Sequence, residues 1–176
     1  TVRHVGGSES IAANVVDGEL DLGILSLPGG YPELELTELG SEPMMLACAR
    51  GHRLAERQVV SLSELVDEPF VDGPPGWGIR AAADQAFAAA GARRTLRFEV
   101  NDSQSIVQFV AEGLAVALLP PSIAHSEPSV QLVPLTQEGP VFRTLLCAPS
   151  GRRKRAAVRA FLEFIRADIA HSAAAG

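Results

Sequence analysis

The sequence is poor in the residues from which cross-links, metal cages and redox centres are made. Only two cysteines occur in 176 residues, Cys48 and Cys147, each inside an apolar run. They lack metal-ligand spacing and a resolving partner, so both read as buried structural thiols. Four histidines, His4, His52, His125 and His171, are scattered along the chain. They form no metal-ligand or nucleophile constellation, and His52, just after Gly51 in a turn, reads as solvent-facing. Aromatic residues make up 5%, with a single tryptophan, Trp77. No apolar run reaches the ~20 residues that span a bilayer, and no secretory signal pattern opens the chain. These features point to a reducing cytoplasm and to no membrane partner.

Basic charge is scarce as well. Lys and Arg number 15 against 21 Asp and Glu, a formal net charge of −6. Duplex-binding modules advertise a basic face, because neutralising phosphates supplies most of their affinity. The one dense basic stretch here, Arg152 to Arg155, reads as a solvated helix face. This chain is therefore not itself a DNA reader. Motifs of catalysis are missing too: there is no P-loop, no GxGxxG after a strand, no HExxH and no Gly-x-Ser-x-Gly. Glu33 and Glu35 fall on one face of an expected exposed strand. The reading is a non-enzyme with no catalytic residue, no metal and no cofactor.

What the sequence does contain is a regular alternation of strand and helix over a chain that is 47% apolar, enough for a real core. Thr1 to Val5 reads as a strand, and Ser8 as the possible cap of a helix to about Asp17. Strands are expected at Leu20 to Leu25, Leu34 to Leu39 and Pro43 to Ala49. Ser61-Leu-Ser-Glu64 is a capping box opening a short helix. A strand at Phe70-Val71 runs into the Gly- and Pro-rich loop Asp72 to Gly78. The helix from Ile79 to Ala90 shows 3.6-residue periodicity and stops at Gly91. A strand at Leu96 to Val100 precedes a helix capped by Asp102 or Ser103. A buried strand is expected at Leu114 to Leu119, followed by a short helical turn and strands at Val130 to Leu135 and Val141 to Ala148. A last helix from Arg153 to Ile169 carries an apolar stripe of Val158, Phe161, Leu162, Ile165 and Ile169, and an Ala-rich tail frays beyond it. The pattern predicts an α/β fold with largely parallel sheets.

Several phrases, in order, resemble the effector-binding domain of LysR-type transcription regulators. They are Gly7-Ser8-Glu9 with Val16-Asp17-Gly18-Glu19-Leu20-Asp21-Leu22-Gly23-Ile24; Glu42-Pro43-Met44-Met45-Leu46 with Gly51-His52-Arg53-Leu54; Val60-Ser61-Leu62-Ser63-Glu64-Leu65 with Glu68-Pro69-Phe70; Val110-Ala111-Glu112-Gly113-Leu114 to Pro120; and Ala157 to Ile165. The resemblance covers nearly the whole chain. It implies two Rossmann-like α/β lobes joined by two crossing strands, as in type 2 periplasmic binding proteins. Lobe I would comprise residues 1–45 and 145–176, and lobe II residues 46–144, with crossings near Met44 to Cys48 and Arg143 to Cys147. Family domains begin with a further strand and helix and are preceded by a winged helix-turn-helix. The resemblance thus implies DNA contact only through a segment outside this sequence, assembly as a homodimer or homotetramer, and RNA polymerase as a further partner.

A ligand in an open α/β sheet lies outside the carboxyl ends of the strands. Three strand-to-helix turns point there: Gly7-Ser8, Trp77-Gly78 after Gly76, and Asn101 to Ser103. Helix starts present free N–H groups and partial positive charge, which suits a small organic anion such as a carboxylate. The candidate effector-binding residues are Gly7, Ser8, Leu25, Trp77, Gly78, Asn101 and Ser103. Ser8 and Ser103 serve equally as plain helix caps, and Trp77 as a surface anchor or an aromatic lid. Two other functions fit the same fold: a periplasmic-type solute-binding protein of a transporter, which predicts a secretory signal upstream, and an enzyme, which predicts turnover.

Overall fold

In a computed structural model, residues 6–27, 30–125, 127–136, 139–151 and 155–174 are described. The strand expected at Thr1 to Val5, Pro28, and Arg152 to Lys154 of the basic stretch lie outside them.

One strand explains the first lobe. β8 (Val141–Pro149) is paired antiparallel on one side with β1 (Gly23–Leu25) and on the other with β2 (Leu34–Pro43), the latter from Leu34 opposite Pro149 to Pro43 opposite Val141. Successive side chains of a strand face opposite ways, and β8 uses both faces. Leu145 and Cys147 pack with Ala12 and Val15 of α1 (Ser8–Val16), while Leu146 and Ala148 pack with Val158 and Leu162 of α5 (Ala156–Ala174). A helix on each side of one sheet buries both apolar faces. α5 continues past the expected stop at Ile169 to Ala174, in keeping with the high helix propensity of its alanines. Phe161, assigned to the buried stripe, is 46% exposed; the stripe is narrower than expected and runs through Val158, Leu162 and Ile165. The side chain of Ile169 lies outside the described set.

The second lobe is built round β3 (Met45–Ala49), which lies between β6 (Ala117–Leu119) and β7 (Val130–Val133), antiparallel to both. β4 (Pro69–Asp72) and β5 (Thr95–Glu99) run parallel. They join the same layer through Val116, whose N–H donates to the Pro69 carbonyl (2.8 Å) and whose carbonyl accepts from Val71 (3.0 Å). Helices α2 (Gly78–Ala89) and α3 (Ser103–Ala111) bury Ala83, Phe87, Ile106 and Val110 in one core with Phe70, Leu46 and Leu118. The capping box forms a 3-10 turn at Leu62–Leu65 in which the Ser61 N–H donates to the Glu64 carboxylate at 2.9 Å. α4 (Pro121–Ala124) follows β6.

One expectation needs correction. Sheets are not largely parallel: among the described paired strands only β4 and β5 are parallel, because β3 and β8 each run against the neighbours they join. Cys147 is in the lobe I core and Leu46 to Cys48 are in the lobe II core. Where the β2–β8 ladder ends, the Met44 N–H donates to the Pro140 carbonyl (2.8 Å).

Both thiols sit in these cores. Burial, helped by Glu68, pushes Cys48 up to about 11, and burial does the same to Cys147. Since the thiolate is the nucleophile, iodoacetamide at pH 8 is expected to leave both unmodified in the native protein and to label both in denaturant, as read by peptide mass spectrometry.

Candidate functional site

The turns expected to meet do meet, and the chain brings its lobes together there. Gly7 adopts φ 74°, the left-handed region where a side chain is strained, and so starts α1 as its N-cap. Ser8 is therefore not the cap. It is buried, and its hydroxyl instead accepts from the Ser26 N–H at 3.0 Å, tying the helix start to the end of β1. Directly opposite, the Glu9 N–H donates across the cleft to the Gly76 carbonyl at 3.2 Å. Gly78, the first residue of α2, lies so near lobe I that a methyl group on it would stand 2.0 Å from the Ser26 carbonyl oxygen. The half-buried Trp77 indole packs between two glycines, within 3.2 Å of where a Gly7 methyl would be and 2.8 Å of where a Gly73 methyl would be.

A buried charge network holds the loop that carries these contacts. The Asp72 carboxylate accepts from the Gly73 N–H (2.7 Å) and from Arg94 (2.6 Å), with both side chains about 5% exposed or less. Arg94 also reaches Asp84 at 2.7 Å and lies over the Phe70 ring. Arg80 bonds Asp84 and the Gly73 carbonyl. The Asp72 carbonyl accepts from Val100 (3.0 Å), which places the Asn101 to Ser103 turn alongside. Burial pushes the Asp72 carboxyl above the ordinary carboxylate range, against the pull of Arg94. At the start of α3 the cap is Asp102, not Ser103: its carboxylate takes the Ser105 N–H at 2.7 Å, and hydrogen bonds from Ser105 hold it below its ordinary value. A lowered folded value means the stabilisation exists above the unfolded pKa and fades as pH falls. Asp102→Ala is thus expected to lower the melting temperature at pH 7, and the gap from the parent to narrow as pH falls below about 4.

Around this meeting point is a cavity of about 240 Å³. Gly7, Ser8, Leu25, Trp77, Gly78 and Ser103 all line it. Asn101 does not: it borders a second recess that shares Gly6, Gly7 and Trp77 with the first. Sequence reasoning missed Ile11, Ile24, Ile79, Ile123, Phe142 and Thr144, which line the cavity as well. Phe142 and Thr144 had a signal in period-2 alternation along a crossing strand; Ile123, behind Pro120-Pro121, had none. His52, expected to face solvent, is mostly covered, its Nε2 3.2 Å from Glu68 and its Nδ1 accepting from Leu54. It serves the local turn and lies outside the cavity lining.

The model of the LysR substrate binding domain matches residues 3–170. The chain belongs to that family. A relative is the RuBisCO operon transcriptional regulator of Acidithiobacillus ferrooxidans, 28% identical over 173 residues, which are 97% of this chain and 56% of that protein. The LysR domain described here thus spans about half the length of such relatives. Its fold is similar to the regulatory domain of Synechocystis PCC6803 CcmR in complex with 2-PG, at TM-score 0.82 and 23% identity over 93% of this chain and 80% of that one. It is likewise similar to the effector binding domain of QuiR in complex with shikimate, at TM-score 0.81 and 21% identity over 91% and 77%. The expected two-lobed, type 2 periplasmic-binding-protein-like α/β fold is borne out, and the named relative is a regulator of transcription. No helix among the described residues is long and apolar enough to cross a membrane.

Proposed function

We propose that this LysR domain is the effector-sensing, oligomerising half of a cytoplasmic transcription regulator. A small organic molecule, a carboxylate or similar anion foremost, binds between the lobes, which divide near residues 45 and 145. It contacts Gly7, Ser8, Leu25, Trp77, Gly78 and Ser103, with Asn101 at the rim. The observation that carries this reading is that one 240 Å³ cavity is lined from both lobes at the place where they touch. A molecule held there gains contacts only when the lobes are closed, so binding biases their relative orientation by its differential affinity for the two states. The DNA-binding segment and RNA polymerase receive that bias through the rest of the regulator. The domain binds and does not turn over its ligand.

A homodimer or homotetramer is the assembly we infer. Phe161 and Phe164, 46% and 66% exposed on α5, support an interface on that face. Light scattering of the full-length protein should give at least a dimer, and a strict monomer would contradict this.

The test of the binding reading is a thermal-shift panel of small carboxylates and other metabolites on the full-length protein. A ligand at a hundred times its Kd adds about 2.7 kcal/mol of stability. At least one compound should raise the melting temperature without being consumed. A panel with no hit, or a hit that is chemically converted, would count against the proposal.

A further inference from the structure

We infer that the cleft selects a molecule with a planar apolar body and one polar head of at most a single negative charge, packed against Trp77, and that it rejects doubly charged anions. This rests on the proposed ligand-sensing function and narrows its ligand.

Charge is the first argument. Among the described residues that line the cavity there is no Lys, Arg or His. Two cations adjoin lining residues in sequence: Arg80, after Ile79, is held by Asp84 and the Gly73 carbonyl, and Arg143 stands between Phe142 and Thr144 on β8. Strand alternation sends it to the other face, where it borders a separate recess with Gln85 and Ala86. Helix starts can hold anions without a cation, but here the protein's own oxygens stand at or beside each of them. The Glu9 N–H of α1 is given to the Gly76 carbonyl. The Ser26 carbonyl crowds Gly78 at the start of α2. The Asp102 carboxylate caps α3. A second negative charge on a ligand would thus be desolvated without a counter-charge, and Glu9 and Asp102 stand nearby to repel it.

Shape and hydrogen bonding supply the second argument. Ser8 accepts from the Ser26 N–H, so its own proton is free to donate. With the hydroxyls of Ser103 and Thr144 this makes donors for one carboxylate, amide or hydroxyl. The large apolar side chains of the wall are Ile11, Ile24, Leu25, Ile79, Ile123 and the rings of Trp77 and Phe142. An apolar cavity of about 150 Å³ takes benzene, so about 240 Å³ suits a ring with a short side arm.

Phenylacetate and phosphoglycolate share a carboxymethyl group and differ in carrying a phenyl or a phosphate. Calorimetric titration of the full-length protein with each, repeated on Trp77→Ala and Ile123→Lys, separates the possibilities. Phenylacetate should bind at least tenfold more tightly than phosphoglycolate and lose roughly tenfold on Trp77→Ala, while Ile123→Lys should bring phosphoglycolate binding up. Equal or tighter binding of phosphoglycolate by the parent, or phenylacetate binding indifferent to Trp77, would overturn the inference. If phenylacetate fails to bind while a metabolite of another class occupies the cleft, this inference falls and the ligand-sensing function stands. If nothing binds in the cleft, both fall.

Discussion

Gly78→Ala should weaken binding of a cleft ligand by about ten- to a hundredfold while costing the fold little. The added methyl would stand 2.0 Å from the Ser26 carbonyl oxygen and 2.7 Å from the Ser26 Cβ. Neither neighbour is the end of a flexible side chain, so something must move. Overpacking in a well-packed core costs roughly 1–3 kcal/mol. Here a cheaper escape exists, because Gly78 is in lobe II and Ser26 in lobe I, and two crossing strands connect them. The lobes can part. Parting breaks the Glu9-to-Gly76 hydrogen bond and draws Trp77 off Gly7, so the cavity loses its shared wall. The penalty then falls on the closed state that binds ligand. Within α2 itself alanine is a better helix former than glycine. Gly40→Ala, where nothing lies within 4 Å of the new methyl, is the control and should bind as the parent does. Unchanged affinity in Gly78→Ala would show that closure is not needed.

Arg94→Met should be the most destabilising change at the site. Removing one member of a buried ion pair typically costs about 3–5 kcal/mol, because the other charge is left without compensation. Asp72 would be that charge, with a side chain only 4% exposed. Arg94 also gives up Asp84 and its place over Phe70. For a domain of this size the loss corresponds to a fall of roughly 6–20 °C in melting temperature. Asp72→Leu combined with Arg94→Met should recover much of it, since an apolar pair of similar volume often matches a buried ion pair. The pH dependence gives a second check. Burial already raises the Asp72 carboxyl, and without Arg94 the rise is larger. A raised folded value means the stabilisation is complete below the unfolded pKa of about 3.9 and is lost as pH climbs through the folded value. The deficit of Arg94→Met against the parent should therefore shrink on acidification from pH 7 to about pH 4. A deficit that is constant or grows would mean Asp72 is not the stranded charge.

Much of the fold was legible because its signals are local. Gly18 and Gly113 do end helices, each with positive φ, and Asp102 does cap α3. The buried runs at Leu46 to Cys48 and Ala117 to Leu119 are strands with hardly any exposed surface. Strand direction was illegible, since an apolar run of the kind in β3 looks the same whether its partners run with it or against it. The role of Ser8 was hidden for a related reason. A serine directly after Gly7 reads as a helix cap, and only the tertiary approach of Ser26 turns its hydroxyl elsewhere. The Arg94–Asp72 pair spans 22 residues, beyond any spacing rule. The candidate site was visible at its polar turns and invisible on its apolar wall, because isoleucines such as Ile79 and Ile123 read as ordinary core.

The central claim is that one small molecule engages both lobes at once. Hydrogen–deuterium exchange of the full-length protein, with and without a hit from the thermal-shift panel, tests it directly. Exchange should slow in the amides of residues 8–11 and 26–27 in lobe I and of residues 77–80 and 103–106 in lobe II at the same ligand concentration. Protection confined to one lobe, or appearing only outside these segments, would contradict it.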